Sequence, residues 1–332
     1  MKLEKRKKSI KTIVAILFAI LLIVIIYEIK LNEDIKLTKK WTKYSNEPVL
    51  GNKATGPVFD PYVIKDKDGK YRMYVSWRKE KSIAVTTSDD GINWTELKNV
   101  LNNDTSTGWE NDVNRATVIY KDGIYHMWYT GQSNNISKIG YATSEDGYTF
   151  KRNEKPILMP EKNYEKQSVM NPYVIYDEEE QILKMWYAAG ETYEPDVIAY
   201  ATSKDGINWN KYENNPILEK NIDNNSKDNF KVGACEVHKI ENEYVMFYIG
   251  YTDINTARIF VAKSKDGVTN WQRYGKAPIV KATKGTFDED ACYKPTALWD
   301  EINNRWMLWY NGRHNANEYI GLAICDEYNF LK

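Results

Sequence analysis

The chain has 332 residues, with 46 Lys+Arg against 46 Asp+Glu, 42% hydrophobic and 13% aromatic residues. Its 11 Trp, 25 Tyr and 8 Phe exclude a disordered chain. Residues 1–11 hold six bases and one acid, a net of +5, so the remaining body carries −5 and offers nucleic acid no basic footprint.

In chain order, the first feature is residues 13–27 (IVAILFAILLIVIIY), fifteen apolar positions directly after the basic cluster. That is the layout of a signal sequence or signal anchor. A span usually needs about 17–25 residues. Counted from Ile10 the run reaches eighteen, with Lys11 able to snorkel towards headgroups. Neither a small-residue cleavage site nor a lipobox cysteine follows. The expectation is a cytoplasmic basic segment (1–11), an uncleaved transmembrane signal anchor (12–28), a linker (29–40) and a body (41–332). The bases set a single-pass topology in the cell membrane, amino terminus inside and body extracellular.

A repeat of about sixty residues dominates the body. S-x-D-G-x-x-W occurs at residues 88–94 and 203–209, with variants at 144–150 and 264–271 and a degenerate copy at 325–330. The terminal aromatics are 56, 59, 62 and 59 residues apart. A short alternating strand precedes each, and Asp-Gly between two strand patterns is a strong hairpin signal. Two further strands lie upstream in each unit, the first typified by PYVIYD and the second by LKMWYAAG. No helical period intervenes, so the expected fold is all-β: a five-bladed β-propeller after one transmembrane helix. Residues 41–50 match 209–218 at six of ten positions, yet no unit precedes them. They are expected to complete the outer strand of the fifth blade and so remove a sheet edge. Cys235, Cys292 and Cys325 show no C-x-x-C spacing and are expected as buried free thiols.

The Asp-Gly turns are nearly identical and read as structure. The loops after the second strands diverge and read as function. The starts of the first strands also break the pattern with polar residues: Asp60, Asp112 and Arg115, Asn171, Glu236 and His238, Asp290 and Lys294. Acids crowded at one axis cost desolvation and need a partner or a task. Paired carboxylates are what glycosidic cleavage requires.

The blade pattern, Asp60-Pro61 opening the first inner strand, and the M-W-Y and S-x-D-G-x-x-W repeats resemble the five-bladed propeller glycoside hydrolases of families 43, 32, 68, 117 and 130. The resemblance covers residues 41–332. Resemblance to family 43 in particular implies a blade-one Asp as base, which Asp60 fits, a blade-two Asp that tunes the acid, and a blade-three Glu as acid. This sequence departs from that set. Arg115 stands at the matching position of blade two, with Asp112 three residues before it, and Asn171 stands in blade three.

The resulting expectation is a membrane-anchored extracellular glycosidase acting on an oligo- or polysaccharide. Asp60 is base or nucleophile, Glu236 the acid and Asp112 the modulator. Arg78, Arg115, Asn171, His238, Asp290, Lys294, Arg313 and His314 hold the sugar. The alternatives are a non-catalytic glycan-binding propeller and a glycoside phosphorylase whose Arg78, Arg115, Lys294 and Arg313 hold phosphate. No cofactor or internal metal motif is expected; an axial Ca2+ near His238 is the one ion considered.

Overall fold

The computed structural model describes the backbone of residues 2–332 and the side chains of residues 11–29 and 37–332. A helix runs over Lys2–Lys40. Its segment Lys11–Ile29 has a mean hydropathy of 2.9 and is nowhere buried, so by length and composition it can cross a membrane. The basic cluster, Lys11 apart, lies outside the described side chains. The expected linker over 29–40 is helical instead, because no Gly or Pro ends the helix before Trp41. Leu37 is buried in one apolar cluster with Trp41, Phe247, Phe330 and Leu331. Lys40 Nζ donates to the Lys332 carbonyl at 3.1 Å and pairs with Glu327 at 2.6 Å, so the helix root is seated on the body.

The body is five units of four antiparallel strands. Their first strands are Val58–Lys65, Asp112–Lys121, Ser168–Asp177, Lys231–Ile240 and Ala291–Asp300. Each pairs with a second strand, which pairs with a third: Tyr71–Trp77 and Ser82–Ser88, Ile124–Ser133 and Ile136–Ser144, Ile182–Gly190 and Pro195–Ser203, Glu243–Asp253 and Thr256–Ser264, Arg305–His314 and Asn317–Cys325. A fourth, outer strand closes each unit. It is Lys98–Asn102, Lys151–Arg152, Asn210–Lys211 and Gln272–Arg273 in the first four. In the fifth it is Thr42–Lys43, paired with Asn317–Cys325 from the far end of the chain. The first strands touch one another in cyclic order, one to five and back to one.

Two repeated devices lock neighbouring units, and both explain sequence motifs. In the Ser-x-Asp-Gly turns the aspartate Oδ1 accepts two backbone N–H groups, as Asp205 does from Ile207 and Asn208 at 2.9 and 2.7 Å. The turn glycine's carbonyl then accepts from an aromatic of the neighbouring unit's second strand. Trp128 donates to Gly206, Trp186 to Gly267 and Trp309 to Gly91, each at 2.8 Å, and Tyr74 donates to Gly147. Gly206 has φ +75°, and a Cβ there would lie 2.8 Å from the Trp128 ring, so only glycine fits the latch. Unit four carries Phe247 at the matching position and cannot donate. Unit five correspondingly lacks the glycine turn, and Trp41 and Phe330 pack edge-on against and near Phe247 instead.

The second device sits before the first strands. Glu110, Glu165, Asp228 and Asp288 are fully or almost fully buried, and each accepts from a second-strand tyrosine: Tyr129, Tyr187, Tyr248 and Tyr310. Each is also paired with a cation of the outer strand: Arg152 at 3.1 Å, Lys211 at 2.8 Å, Arg273 at 2.5 Å and Lys43 at 2.5 Å. Lys43, from the amino-terminal segment, thus fills in unit five the place that Arg152, Lys211 and Arg273 fill elsewhere. The three cysteines are free and buried.

Candidate active site

Every first strand carries a bulge near its start, where the register to the second strand slips by one residue. At each bulge one residue adopts a left-handed φ: Asp60 (54°), Arg115 (56°), Asn171 (51°), Ala234 (28°) and Lys294 (50°). Proline follows in three cases (Pro61, Pro172, Pro295), which suits a position where no ladder N–H is needed. A left-handed non-glycine residue costs about 1–3 kcal/mol, and such residues cluster at functional sites. Four of the five side chains are polar and line one cavity of about 330 Å³. The ends of second strands, the loops after them and the third strand of unit five add Arg78, Tyr193, Glu194, Tyr251, Arg313 and Glu318.

Asp60, 4% exposed, accepts a hydrogen bond from Ser76 Oγ at 3.0 Å, and Arg115 Nε lies 3.9 Å from it. Ser76 Oγ also accepts from the Arg115 backbone N–H at 3.0 Å, tying the first two bulges together. Lys294 is 3% exposed and makes no hydrogen bond or ion pair among the described residues. Burial holds its ammonium below the usual lysine range, against the charges of Asp60 and Glu236. The Asn171 side-chain oxygen is buried without a partner. Burial pushes the Glu194 carboxyl above its ordinary range, although Arg115, Tyr251 and Arg313 oppose the shift. Glu318 is held by Arg78 at 2.5 Å and by the Tyr293 hydroxyl.

The structure therefore brings together Asp60, Arg78, Arg115, Asn171, Lys294 and Arg313, all read from the sequence. The others stand elsewhere. Glu236 lies two residues past its bulge, which Ala234 occupies, and does not line the cavity. It accepts from His238 Nε2 at 2.6 Å and from the Ala297 N–H at 2.9 Å, between the first strands of units four and five. His238 packs among Tyr173, Phe247 and Trp306. Asp112 is exposed at the first residue of its strand, outside the cavity. Asp290 and His314 belong to the rim: Asp290 accepts from the Asn315 N–H at 2.6 Å, and His314 is 3.7 Å from it. Among the described residues no group of three or more His, Cys, Asp or Glu side chains could hold a metal.

Glu194, Glu318, Tyr193 and Tyr251 were not read from the sequence. The loop holding Tyr193 and Glu194 follows the divergent stretch 190–192, which was a usable signal. Glu318 had none, because it sits in an ordinary strand pattern.

Comparison with known proteins agrees with this geometry. Residues 165–329 match the family described as beta-1,4-mannooligosaccharide phosphorylase, and residues 27–110 match the glycosyl hydrolases family 32 N-terminal domain. The 1,2-beta-oligomannan phosphorylase of Thermoanaerobacter sp. (strain X514) is 29% identical over 233 residues, covering 65% of this chain and 72% of that protein. Among solved structures, a glycoside hydrolase superposes with a TM-score of 0.71 at 20% identity, covering 86% of this chain and 91% of the other. A thermostable family-43 glycoside hydrolase does so at 0.64 and 18%, covering 80% and 88%. The resemblance read from the repeats is borne out by these matches: parts of the chain match models of glycoside-processing families, and the fold is the mostly β, propeller-like fold of the solved structures.

Proposed function

We propose that this protein is a membrane-anchored, five-bladed propeller enzyme that cleaves mannoside linkages with inorganic phosphate as acceptor. One observation carries the reading: Lys294, a buried side chain with no ion-pair partner among the described residues, opens on a cavity that also holds Arg78, Arg115 and Arg313. These four cations outnumber the cavity's three acids, Asp60, Glu194 and Glu318, the last paired with Arg78, and the surplus favours an anionic co-substrate. The names of the matched family and of the phosphorylase relative support the same choice.

In this mechanism phosphate, held by Lys294 and Arg115, attacks the anomeric carbon. The bond from that carbon to the glycosidic oxygen breaks, a carbon–oxygen bond to phosphate forms, and the leaving sugar takes a proton. Glu194 is the donor, since burial favours its protonated form. Asp60, fixed by Ser76, and the unpartnered Asn171 oxygen hold sugar hydroxyls. Incubating mannobiose or mannotetraose with the protein, with and without phosphate, tests this. Mannose 1-phosphate formed only with phosphate is expected, and its absence overturns the reading.

Hydrolysis is the second reading, favoured by the helix with its preceding bases, which would place the body outside the cell, where phosphate is scarce. Asp60 would then activate water. Phosphate-independent release of mannose identifies it, and binding without cleavage identifies a glycan-binding protein. The topology is checked separately: protease added to intact cells should degrade the body, and full protection would exclude an extracellular location.

A further inference from the structure

The cavity is open on two sides, and the two sides differ. Towards units three and four, Tyr193, Glu194 and Ile254 form a ridge that also walls a second depression of about 480 Å³. Beyond the ridge lie Asn135, Gln167, Glu191, Thr192 and Lys231, with Gln167 Nε2 donating to Glu191 at 3.3 Å. Tyr193 is 66% exposed and Ile254 48% exposed, an unusual display of apolar surface on a concave rim. Tyr193 is held rather than free: its hydroxyl donates to Asn135 Oδ1 at 3.3 Å. Towards unit five, the cavity shares Asn255, Arg313 and Asn315 with another depression, whose further lining is Thr256, Arg258, Glu289 and Asp290. That side carries charges and no aromatic.

A sugar ring has an apolar C–H face and a polar hydroxyl edge. It is matched by a fixed, exposed aromatic flanked by side-chain amides, which both donate and accept. The other side, lined by Arg258 and Arg313 against Glu289 and Asp290, offers no aromatic or apolar face on which a sugar could stack. We infer that the depression beyond Tyr193 is an outer sugar subsite, so that a mannoside chain leaves the cavity across the Tyr193–Ile254 ridge and not across the charged side. The ligand is thus an oligosaccharide of at least three units, with its far unit on Tyr193 and its hydroxyls on Asn135 and Gln167. This rests on the proposed mannoside reading only for the kind of sugar.

The test is calorimetric binding of mannobiose, mannotriose and mannotetraose to the full chain in detergent, in parallel with turnover. Affinity should rise with length in the parent. Tyr193→Ala should remove most of that rise, about tenfold for the tetraose, while Tyr193→Phe keeps it. Gln167→Ala should weaken it, and Thr256→Ala, in the charged depression, should leave the length dependence as it is. Unchanged melting temperatures confirm that the variants fold. Affinity that does not rise with length, or a rise that survives Tyr193→Ala, overturns the inference. Length-dependent binding without any turnover would instead sink the proposed chemistry and leave the subsite standing.

Discussion

Two sets of ionisable groups, one just before the first strands and one around the cavity, are treated oppositely by the molecule. Glu110, Glu165, Asp228 and Asp288 each have a tyrosine hydroxyl and an outer-strand cation. At Asp228 and Asp288 burial raises the carboxyl, but Arg273 and Lys43, with nearby hydroxyls, outweigh it and hold both below the ordinary range. The cavity set is left incomplete. Asp60 has one serine and a distant arginine, burial raises Glu194, and Lys294 has no ion-pair partner among the described residues. Saturated charges hold units together, whereas unsaturated ones are free to meet a ligand, at a cost to the fold.

The strongest way to break this comparison is Lys43→Met, which strands the Asp288 carboxylate at 0% exposure. A loss of about 3–5 kcal/mol is expected, the usual cost of removing one partner of a buried pair. Denaturant melts measure it, and a loss under about 1 kcal/mol would show that Lys43 does not stand in for Arg152, Lys211 and Arg273. In the cavity the effects should reverse. Asp60→Asn should lower kcat/KM by about tenfold or more, the loss of a charged hydrogen bond to a sugar hydroxyl, while leaving the denaturant midpoint near the parent's. Lys294→Met should abolish turnover yet stabilise the fold by about 1–3 kcal/mol, because it removes a buried, unpaired ammonium; a destabilised variant would mean that Lys294 is structural. Asp205→Ala, in a repeated turn, should cost about 1 kcal/mol and leave kcat/KM unchanged.

The pH dependence sharpens the same contrast. Asp228 and Asp288 have carboxyls depressed in the folded state. Their stabilisation is therefore complete above the unfolded value of about 3.9 and lost as pH falls through the lower folded values. Melting temperature should drop steeply below about pH 4, and less steeply in Lys43→Met, where the pair at Asp288 is already gone.

How much of this was legible in the sequence follows from the same division. The units, the Asp-Gly turns and the closing match of residues 41–50 were readable because the fold uses one device several times, and repetition shows in a single chain. Asp60, Arg115 and Asn171 were readable as one set because they occupy matching positions. Glu236 misled, since alternation does place it on one side with His238. The missing information was the bulge: in unit four it falls at Ala234, and no proline marks it. Glu110 and Asp288, within stretches flagged for polarity at the strand starts, are structural because their tyrosine and cation partners come from distant residues that spacing does not reveal.

The outer strand of the fifth unit has a further consequence, in time. Residues 42–43 leave the ribosome early, but Asp288, the partner of Lys43, lies 245 residues later, and the paired strand Asn317–Cys325 later still. At about 5–20 residues per second that is a delay on the order of 15–50 s. Throughout it the segment after the helix has no strand to join, and four units are complete before the ring can shut. Closure thus waits for the fifth unit, and a nascent chain that stalls before residue 317 exposes an open sheet edge.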